Sequence, residues 1–180
     1  KYGMNEHTIK CIFLPNTYEF FWDTSGEEFL ERMYSEYQAF WTKKRERKAD
    51  NLGLTKEEII TLASIVDEET KRDDEKDMIA GVYINRLNRG MRLQADPTVI
   101  YAVGDFSIQR VLRRHYQINS PYNTYRKDGL PPGPIRLPEI TSIDAVLDYR
   151  KHDYLYFCAK PDFSGYHNFA RTLKEHNKNA

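Results

Sequence analysis

Acidic residues follow directly on an apolar run in the stretch LASIVDEETKRDDEKD, residues 62–77. On a helix, residues three and four apart share a face, whereas residues two apart point in different directions. Glu69 lies three residues after Val66 and continues the apolar stripe, while Asp67 and Glu68 lie on other sides of the helix. Apolar surroundings disfavour the charged form of a carboxyl group and raise its pKa. The spacing therefore predicts that Glu69 can act as a general acid.

Two other interpretations of Glu69 stay open on spacing alone. Its side chain could lie in solvent at the end of the helix, or it could pair with Lys71 or Arg72. The sequence after residue 90 favours chemistry, because its loops are rich in Asn, Gln and Tyr. A carboxylic acid beside such loops is typical of enzymes that act on glycosidic bonds.

The elements that must position this acid are predicted to be mainly helices. Capping-box pairs mark two helix starts, one at Ser25 with Glu28 and one at Thr55 with Glu58. The first helix is predicted to run on into KKRERKAD, which would form a solvated basic face at its C-terminal end. The second helix carries the acid and should be central, because residues 59–66 are apolar on nearly every side.

Further elements are predicted downstream of the acid. A third helix should run from about residue 74 to 89, a short helix should lie near residues 107–114, and TSIDAVLDY and ARTLKEHNKN should also be helical. Short strands are predicted in the segments IKCIF and DYLYF, and these two segments are expected to pair. The element order predicts an α+β fold, with a lysozyme-like helical core around the Glu69 helix and a few short strands.

Length and charge limit the possible functions. A chain of 180 residues suits one domain, and its 27 basic and 27 acidic residues create no overall field that would attract nucleic acid. No apolar run approaches the ~20 residues that cross a bilayer, and the start KYGMNEHTIK lacks the apolar region of a signal peptide. We therefore expect a part of a longer protein that recognises its partners locally.

Neither a metal nor a cofactor is predicted. Cys11 and Cys158 stand far apart in the sequence and outside any metal-ligand spacing, so we expect buried or incidental thiols. His167 and His176 lack further ligands at suitable spacing and are expected to be ordinary hydrogen-bonding side chains.

Five phrases in one order carry a family resemblance: LASIVDEET, VYINRLNRGMRLQADPTVIY, YNTYRKDGLPPGPI, DYLYF and HNFARTLKEHN. From Phe13 to Asn177 the chain resembles the catalytic domain of the YceG-like (MltG) endolytic murein transglycosylases. The resemblance implies internal cleavage of peptidoglycan glycan strands between N-acetylmuramic acid and N-acetylglucosamine, which leaves a 1,6-anhydro end. Residues 1–180 would then be the catalytic domain of a protein whose membrane anchor and LysM-like subdomain lie outside this chain.

The same resemblance implies where the protein acts and what it meets there. Its site of action would be the outer face of the bacterial cytoplasmic membrane, and contact with the membrane would come only through the N-terminal anchor. The implied partners are peptidoglycan glycan strands and the cell-wall synthesis machinery.

The family's catalytic glutamate falls on Glu69, the residue that the helical stripe also indicates. This sequence has Asp67 where the family usually has Glu, and Glu68 where it usually has Lys. The shorter Asp67 could still cap or brace a neighbouring loop. The phrase QADP keeps the family's Gln94 and Asp96.

The remaining candidate residues are expected to position substrate. Gln94, Asn123 and Tyr125 could hydrogen-bond to sugar groups, and Tyr122 or Tyr125 could stack on a sugar ring. Asp96 precedes a proline and is as compatible with a turn as with substrate contact. For each of these side chains, the alternative is that it only satisfies backbone groups of its own loop. The rigid phrase GLPPGPI is expected to form a wall of the groove.

Three functions remain open from the sequence. In a transglycosylase, Glu69 alone serves as acid and then as base. A lysozyme-like hydrolase needs a second carboxylate roughly 5 to 9.5 Å away, for which Asp96 is the candidate. A peptidoglycan-binding module that does not cut its ligand would have no need of an acid on an apolar stripe.

Overall fold

The structure, a computed structural model, describes residues 2–180. The α-helices within this range are α1 (Gly26–Phe40), α2 (Lys43–Leu52), α3 (Lys56–Glu69), α4 (Asp73–Asn88), α5 (Asp96–Val103), α6 (Ile140–Leu147) and α7 (Leu173–Asn179). Strand β1 (Tyr156–Ala159) pairs antiparallel with β2 (His167–Ala170), and short 3-10 helices span Ile9–Ile12 and His115–Gln117. This architecture confirms the predicted α+β fold with a helical core.

Helix α3 lies at the centre of the core. Its start is fixed by the predicted capping box, in which the Thr55 hydroxyl accepts the Glu58 backbone N–H and the Glu58 carboxylate accepts the Thr55 backbone N–H. Every residue from Ile59 to Val66 is buried, and the helix packs against α4 and α6. The predicted central position of this helix is therefore confirmed.

Two side chains of α4 hold the segment that leads into the β-hairpin. The Asn85 amide donates to the backbone carbonyls of His152 and Tyr154, and the buried Arg86 guanidinium donates to the carbonyl of Leu155. These bonds satisfy backbone acceptors that would otherwise be left without partners. They fix β1 beside the C-terminal half of α4.

The predicted strand at IKCIF is wrong. This segment forms the 3-10 helix Ile9–Ile12, and its turn is started by Asn5, whose side chain accepts the backbone N–H groups of His7 and Thr8. Cys11 and Ile12 are buried in this turn. One helical turn can bury a short apolar run as well as a strand can, so the pattern did not separate the two. The predicted pairing with DYLYF is therefore also wrong, and β1 pairs with β2 instead.

Two predicted helices also differ from the structure. KKRERKAD forms the separate helix α2, because Trp41 is buried at a break in the chain and Thr42 caps a new helix by accepting the Arg45 backbone N–H. The helix expected near residues 107–114 does not form. Helix α5 begins earlier instead, with Pro97 in its first turn and Gly104 at its C-terminal stop.

No helix within residues 2–180 is long and apolar enough to cross a membrane. Cys11 and Cys158 both carry free thiols.

Candidate active site

Glu69 occupies the last turn of α3, with its carboxyl group turned into the protein. Its Oε1 accepts a hydrogen bond of 2.5 Å from the hydroxyl of Tyr83 on α4. Burial raises the pKa of Glu69 to about 7, while the hydrogen bond from Tyr83 and the positive charge of Arg86 lower it and the charge of Asp96 raises it. Near neutral pH the group is therefore present in both protonation states, so it can donate a proton and take one back.

Two cavities formed by the described residues meet at Glu69 and Asp96. The first, which we call the wide lobe, has a volume of about 840 Å³ and is also lined by Tyr101, Phe106, Arg110, Tyr116, Ile135 and Arg136. The second, which we call the narrow lobe, has a volume of about 320 Å³ and is also lined by Tyr83, Arg86, Gln94, Tyr125, Tyr156 and Phe157. The two carboxyl groups are thus shared by both cavities, as a polymer that crosses the site would require.

Asp96 is the first residue of α5 and is held by two tyrosines. Its Oδ1 accepts the hydroxyl of Tyr125 at 2.6 Å and the hydroxyl of Tyr116 at 3.1 Å. Burial and this hydrogen bond raise the pKa of Tyr125, so its phenol stays neutral and continues to donate. The orientation of the Asp96 carboxyl group is therefore fixed from two sides.

Gln94 precedes α5 and lines the narrow lobe with an exposed side chain. Its φ of 53° lies in the left-handed region, which a residue other than glycine rarely adopts. A hydrogen bond from its backbone N–H to the carbonyl of Thr124 holds this geometry. Strained residues of this kind are concentrated at functional sites. The predicted contact between Gln94 and substrate remains a prediction.

Asn123 does not present its side chain to either lobe. The residue is fully buried, its amide donates to the carbonyls of Tyr116 and Ile118, and its Oδ1 accepts the backbone N–H of Tyr125. The predicted substrate contact therefore does not fit the structure, because every polar atom of this side chain is already used to shape the loop. This is the backbone-satisfying role that asparagine often has in turns.

Tyr122 also lies away from both lobes. Its ring packs on Tyr101 with 4.7 Å between centroids, and its hydroxyl lies 3.4 Å from Nδ1 of His7. The residue is buried, so the predicted stacking of Tyr122 on a sugar ring does not fit either. Tyr125 does line the narrow lobe, and of the two tyrosines it is the one that can touch a ligand there.

Asp67 is buried on the side of α3 that faces α4 and α6. It accepts the Ser142 hydroxyl at 2.6 Å, lies 3.4 Å from the Lys76 ammonium, and pairs with Nε of Arg136 at 3.2 Å. Arg136 also pairs with Glu68 and lines the wide lobe. The predicted bracing role for Asp67 thus corresponds to an ion network that ends at the wall of the cavity.

Several residues of the site carry no signal in the sequence spacing. Tyr83 and Arg86 belong to a different helix from Glu69, and Tyr116 lies 20 residues after Asp96. Only the packing of α3 against α4, and of the loop over α5, brings them together. Periodicity reports which face of one helix is buried, but it does not report what lies opposite that face.

Histidines of the described residues do not gather into a metal site. Within residues 2–180, no group of three or more His, Cys, Asp and Glu side chains is arranged to hold a metal ion. The Nδ1 of His167 lies 2.7 Å from the carboxylate of the buried Glu75, which ties β2 to α4.

Comparison with known proteins places this geometry in context. The sequence matches the YceG-like family over residues 2–180. It is 41% identical over 175 residues to an endolytic murein transglycosylase of Bacillus subtilis, and the match covers 96% of this chain and 47% of that protein. It is 36% identical over 131 residues to an endolytic murein transglycosylase of Streptococcus pneumoniae, covering 71% of this chain and 24% of that protein.

A solved structure agrees with these matches. The crystal structure of a YceG-like protein from Listeria monocytogenes superposes with a TM-score of 0.80 at 38% identity. The superposition covers 91% of this chain and 53% of that chain. The chain therefore spans about half the length of the Bacillus and Listeria proteins it matches.

Proposed function

The chain belongs to the YceG-like family, as its motifs predicted, and from that membership we propose that residues 1–180 form the catalytic domain of an endolytic murein transglycosylase. Its substrate is the glycan strand of peptidoglycan, which it cuts internally between N-acetylmuramic acid and N-acetylglucosamine. The proposed product is a strand that ends in 1,6-anhydro-N-acetylmuramic acid. Relatives named endolytic murein transglycosylase, at 41% and 36% identity, support this assignment.

The observation that carries the proposal is the position of Glu69. This carboxyl group lies where the wide and narrow lobes meet, so a strand that occupies both lobes places a glycosidic bond beside it. A pKa of about 7 lets the same group act as acid and as base without a second catalytic residue. A cavity on each side of the acid also suits internal cleavage better than removal of a terminal unit.

The proposed reaction needs no water. Protonated Glu69 gives its proton to the glycosidic oxygen as the bond from that oxygen to the anomeric carbon of muramic acid breaks. The C6 hydroxyl oxygen of the same sugar attacks the anomeric carbon, and its proton passes to the Glu69 carboxylate. One proton leaves Glu69 and one returns, so the enzyme is regenerated. The Tyr83 hydroxyl holds Oε1 throughout, which leaves Oε2 as the oxygen that transfers the proton.

Asp96 supports the developing positive charge on the sugar ring in this scheme. Its carboxylate lines both lobes and is oriented by the hydroxyls of Tyr116 and Tyr125. The same placement favours one second candidate function, lysozyme-like hydrolysis, because a carboxylate beside the acid could activate a water molecule. The two reactions differ in the chemical nature of the new end.

The place of action is also part of the proposal. Peptidoglycan lies outside the cytoplasmic membrane, so we place the enzyme at the outer face of that membrane, next to the cell-wall synthesis machinery that supplies new strands. The support for this location is family membership.

The test is the length of uncrosslinked glycan strands after incubation with the parent protein or with its Glu69→Gln variant. The parent should convert long strands into fragments of intermediate length, and Glu69→Gln should lower the rate at least about 100-fold. The matched control is Glu46→Gln on α2, which removes a partly exposed carboxylate that pairs with Lys56. Unchanged strands with the parent, or equal cleavage by Glu69→Gln, would contradict the proposal.

A further inference from the structure

The loop between α5 and the 3-10 helix at residue 115 forms one rim of the wide lobe. We call residues 104–114, with the sequence GDFSIQRVLRR, the rim loop. It contains three arginines, at positions 110, 113 and 114, and a single acid, Asp105. The Asp105 carboxylate already accepts the backbone N–H and the hydroxyl of Ser107. The rim loop therefore presents net positive charge.

Arg110 is the arginine of this loop that faces the cavity. Its side chain is exposed and lines the wide lobe together with Glu69 and Asp96. Among residues 2–180, no carboxylate lies within ion-pair distance of it. Its charge also acts on Tyr116, whose pKa burial raises and Arg110 lowers. Arg110 is thus an unpaired cation close to the tyrosine that holds Asp96.

The other charged groups that face the wide lobe already have ion-pair or hydrogen-bond partners. Arg136 pairs with the carboxylates of Asp67 and Glu68. Asp96 accepts two tyrosine hydroxyls, and Glu69 accepts that of Tyr83. The floor of the lobe is therefore acidic, with its two carboxyl groups held by tyrosine hydroxyls, whereas its rim carries a cation that lacks an ion-pair partner.

The narrow lobe differs in this respect. Its arginine, Arg86, is buried and donates to the carbonyls of Leu155 and Leu93. Tyr156 and Phe157 provide aromatic surface beside it. His176 also lines the narrow lobe, and its Nδ1 is buried without a hydrogen-bond partner among the described residues. The narrow lobe thus offers no unpaired arginine or lysine, whereas the wide lobe carries a permanent cation without an ion-pair partner.

We propose that Arg110 binds a carboxylate carried by the muramic acid branch of the glycan strand. This inference rests on the proposed function. The sugar rings of the strand are neutral, and the branch on each muramic acid carries either a free lactyl carboxylate or a stem peptide with carboxylates of its own. Since the branch projects away from the ring, a ring at the acidic floor can direct its branch towards the rim. The planar fork of an arginine matches a carboxylate through two hydrogen bonds.

The test measures binding in the Glu69→Gln background, so that cleavage does not interfere. The probes are uncrosslinked strands that carry stem peptides, the same strands after an amidase has removed the peptides, and neutral chitin oligosaccharides of similar length. Arg110→Gln is compared with Arg113→Gln, which removes an exposed arginine of the same loop that does not line the lobe.

Arg110→Gln should weaken binding of carboxylate-bearing strands about tenfold at low salt, while Arg113→Gln should change it less than about twofold. Binding of chitin oligosaccharides should not change with either variant. A loss confined to strands with stem peptides would assign the contact to a peptide carboxylate. A loss confined to strands without stem peptides would assign it to the free lactyl carboxylate, and a loss with both kinds of strand would show that Arg110 binds either carboxylate.

Equal binding by Arg110→Gln and its parent would overturn the inference, and so would an equal loss with neutral chitin. A loss shared by both arginine variants, together with their reduced binding to phosphatidylglycerol vesicles, would instead assign the rim loop to a membrane surface. If the Glu69→Gln protein binds no strand of either kind, the proposed function fails first and the inference fails with it. That outcome differs from strand binding that Arg110→Gln leaves unchanged, which would contradict only the inference about Arg110.

Discussion

At the scale of single residues, opposing influences set the protonation of Glu69. Burial favours the neutral carboxylic acid, and the Tyr83 hydroxyl favours the carboxylate because it donates to Oε1. The result is a pKa of about 7 in place of the ordinary 4.5. A group with this pKa is still protonated in a useful fraction of molecules at neutral pH, which an exposed glutamate is not.

This pKa makes the stability of the protein depend on pH. Since folded Glu69 holds its proton more tightly than it does in the unfolded chain, the parent loses stability as pH rises from about 4.5 to about 7. Glu69→Gln removes the titrating group and keeps a similar shape. We expect the variant to be more stable than the parent by about 1 to 3 kcal/mol at pH 8, and nearly equal to it at pH 4.5.

Urea unfolding of both proteins at the two pH values measures this difference. The control is Glu46→Gln, whose carboxylate is partly exposed to solvent. A difference between Glu69→Gln and the parent that is the same at both pH values would show that Glu69 has an ordinary pKa.

Tyr83→Phe should move the alkaline limb of the activity profile. Without the hydroxyl, the carboxylate loses a donor and the pKa of Glu69 rises further. The proton that Glu69 must donate is then kept to higher pH, so the alkaline limb of kcat/KM should shift upward by about one pH unit. The measurement is the initial cleavage rate of glycan strands across pH 5 to 9.

The control for this variant is Tyr166→Phe, which removes a hydroxyl that donates to the exposed carboxylate of Asp74. Its pH profile should match that of the parent. If Tyr83→Phe lowers the rate by the same factor at every pH, the tyrosine only supports the fold and does not tune the acid.

Only part of the site could be predicted from the sequence, because spacing reports local structure and not contacts between elements. Glu69 follows from the helical stripe, because position on a helix face is a local property. Tyr83 and Arg136 act across contacts between elements, which spacing does not encode. Asn123 looked like a ligand to sugars, but a side chain with one donor and one acceptor group serves a turn equally well, and the turn uses all of it.

At the scale of elements, the Asp67 network joins three helices to the wall of the wide lobe. Asp67 is on α3, Lys76 on α4 and Ser142 on α6, and Arg136 belongs to the wall. The side chains of Asp67 and Lys76 are 3% and 5% exposed, so water cannot replace either partner. Lys76 also pairs with the exposed Asp73 at 2.7 Å, and Arg136 also pairs with Glu68, so Asp67 is the buried one of the two carboxylates that each cation contacts.

Asp67→Asn should lower the free energy of unfolding by about 1 to 3 kcal/mol, because Lys76 and Arg136 lose their buried partner but keep Asp73 and Glu68. Asparagine can still accept the Ser142 hydroxyl, but it offers no charge to Lys76 or Arg136. Urea unfolding measures the loss. In the control, Asp144→Asn removes a half-exposed carboxylate that pairs with Arg45, and less than about 1 kcal/mol should be lost. Equal effects of the two substitutions would contradict the bracing role of Asp67.

Helix starts could be predicted well, and helix breaks could not. The capping boxes at Ser25 and Thr55 are complete within four residues, and both form as predicted. The break before α2 occurs at Trp41, which follows the last residue of α1 and has its indole buried in the core. The segment Ile9–Ile12 is too short for its periodicity to separate a strand from a helical turn.

At the scale of the whole molecule, the wall of the wide lobe rests on the N-terminal segment. A Cβ at Gly133, within the predicted wall GLPPGPI, would overlap the carbonyl oxygen of His7. Two residues later, the backbone N–H of Ile135 donates to the buried Ser64 hydroxyl on α3. The wall is thus held on one side by the backbone of His7 and on the other by Ser64 of α3. Ile135 itself lines the lobe.

Gly133→Ala should therefore destabilise the protein by about 1 to 3 kcal/mol, because the wall or the N-terminal segment must move to admit the methyl group. Thermal unfolding measures the change. As a matched control, Gly26→Ala places its methyl group where no atom outside the adjacent residues and the backbone of α1 lies within 4 Å, and it should leave the stability within about 1 kcal/mol of the parent. A neutral Gly133→Ala would mean that the wall does not rest on His7.

The central claim concerns the bond that Glu69 breaks and the end that it leaves, so the most direct measurement is the mass of the new ends. Uncrosslinked glycan strands are incubated with the parent or with Glu69→Gln, and the fragments are analysed by mass spectrometry. We expect ends lighter than reducing ends by one water molecule, produced by the parent alone. Reducing ends would contradict the transglycosylase reaction and point to water activated by Asp96. Equal cleavage by both proteins would contradict the role of Glu69.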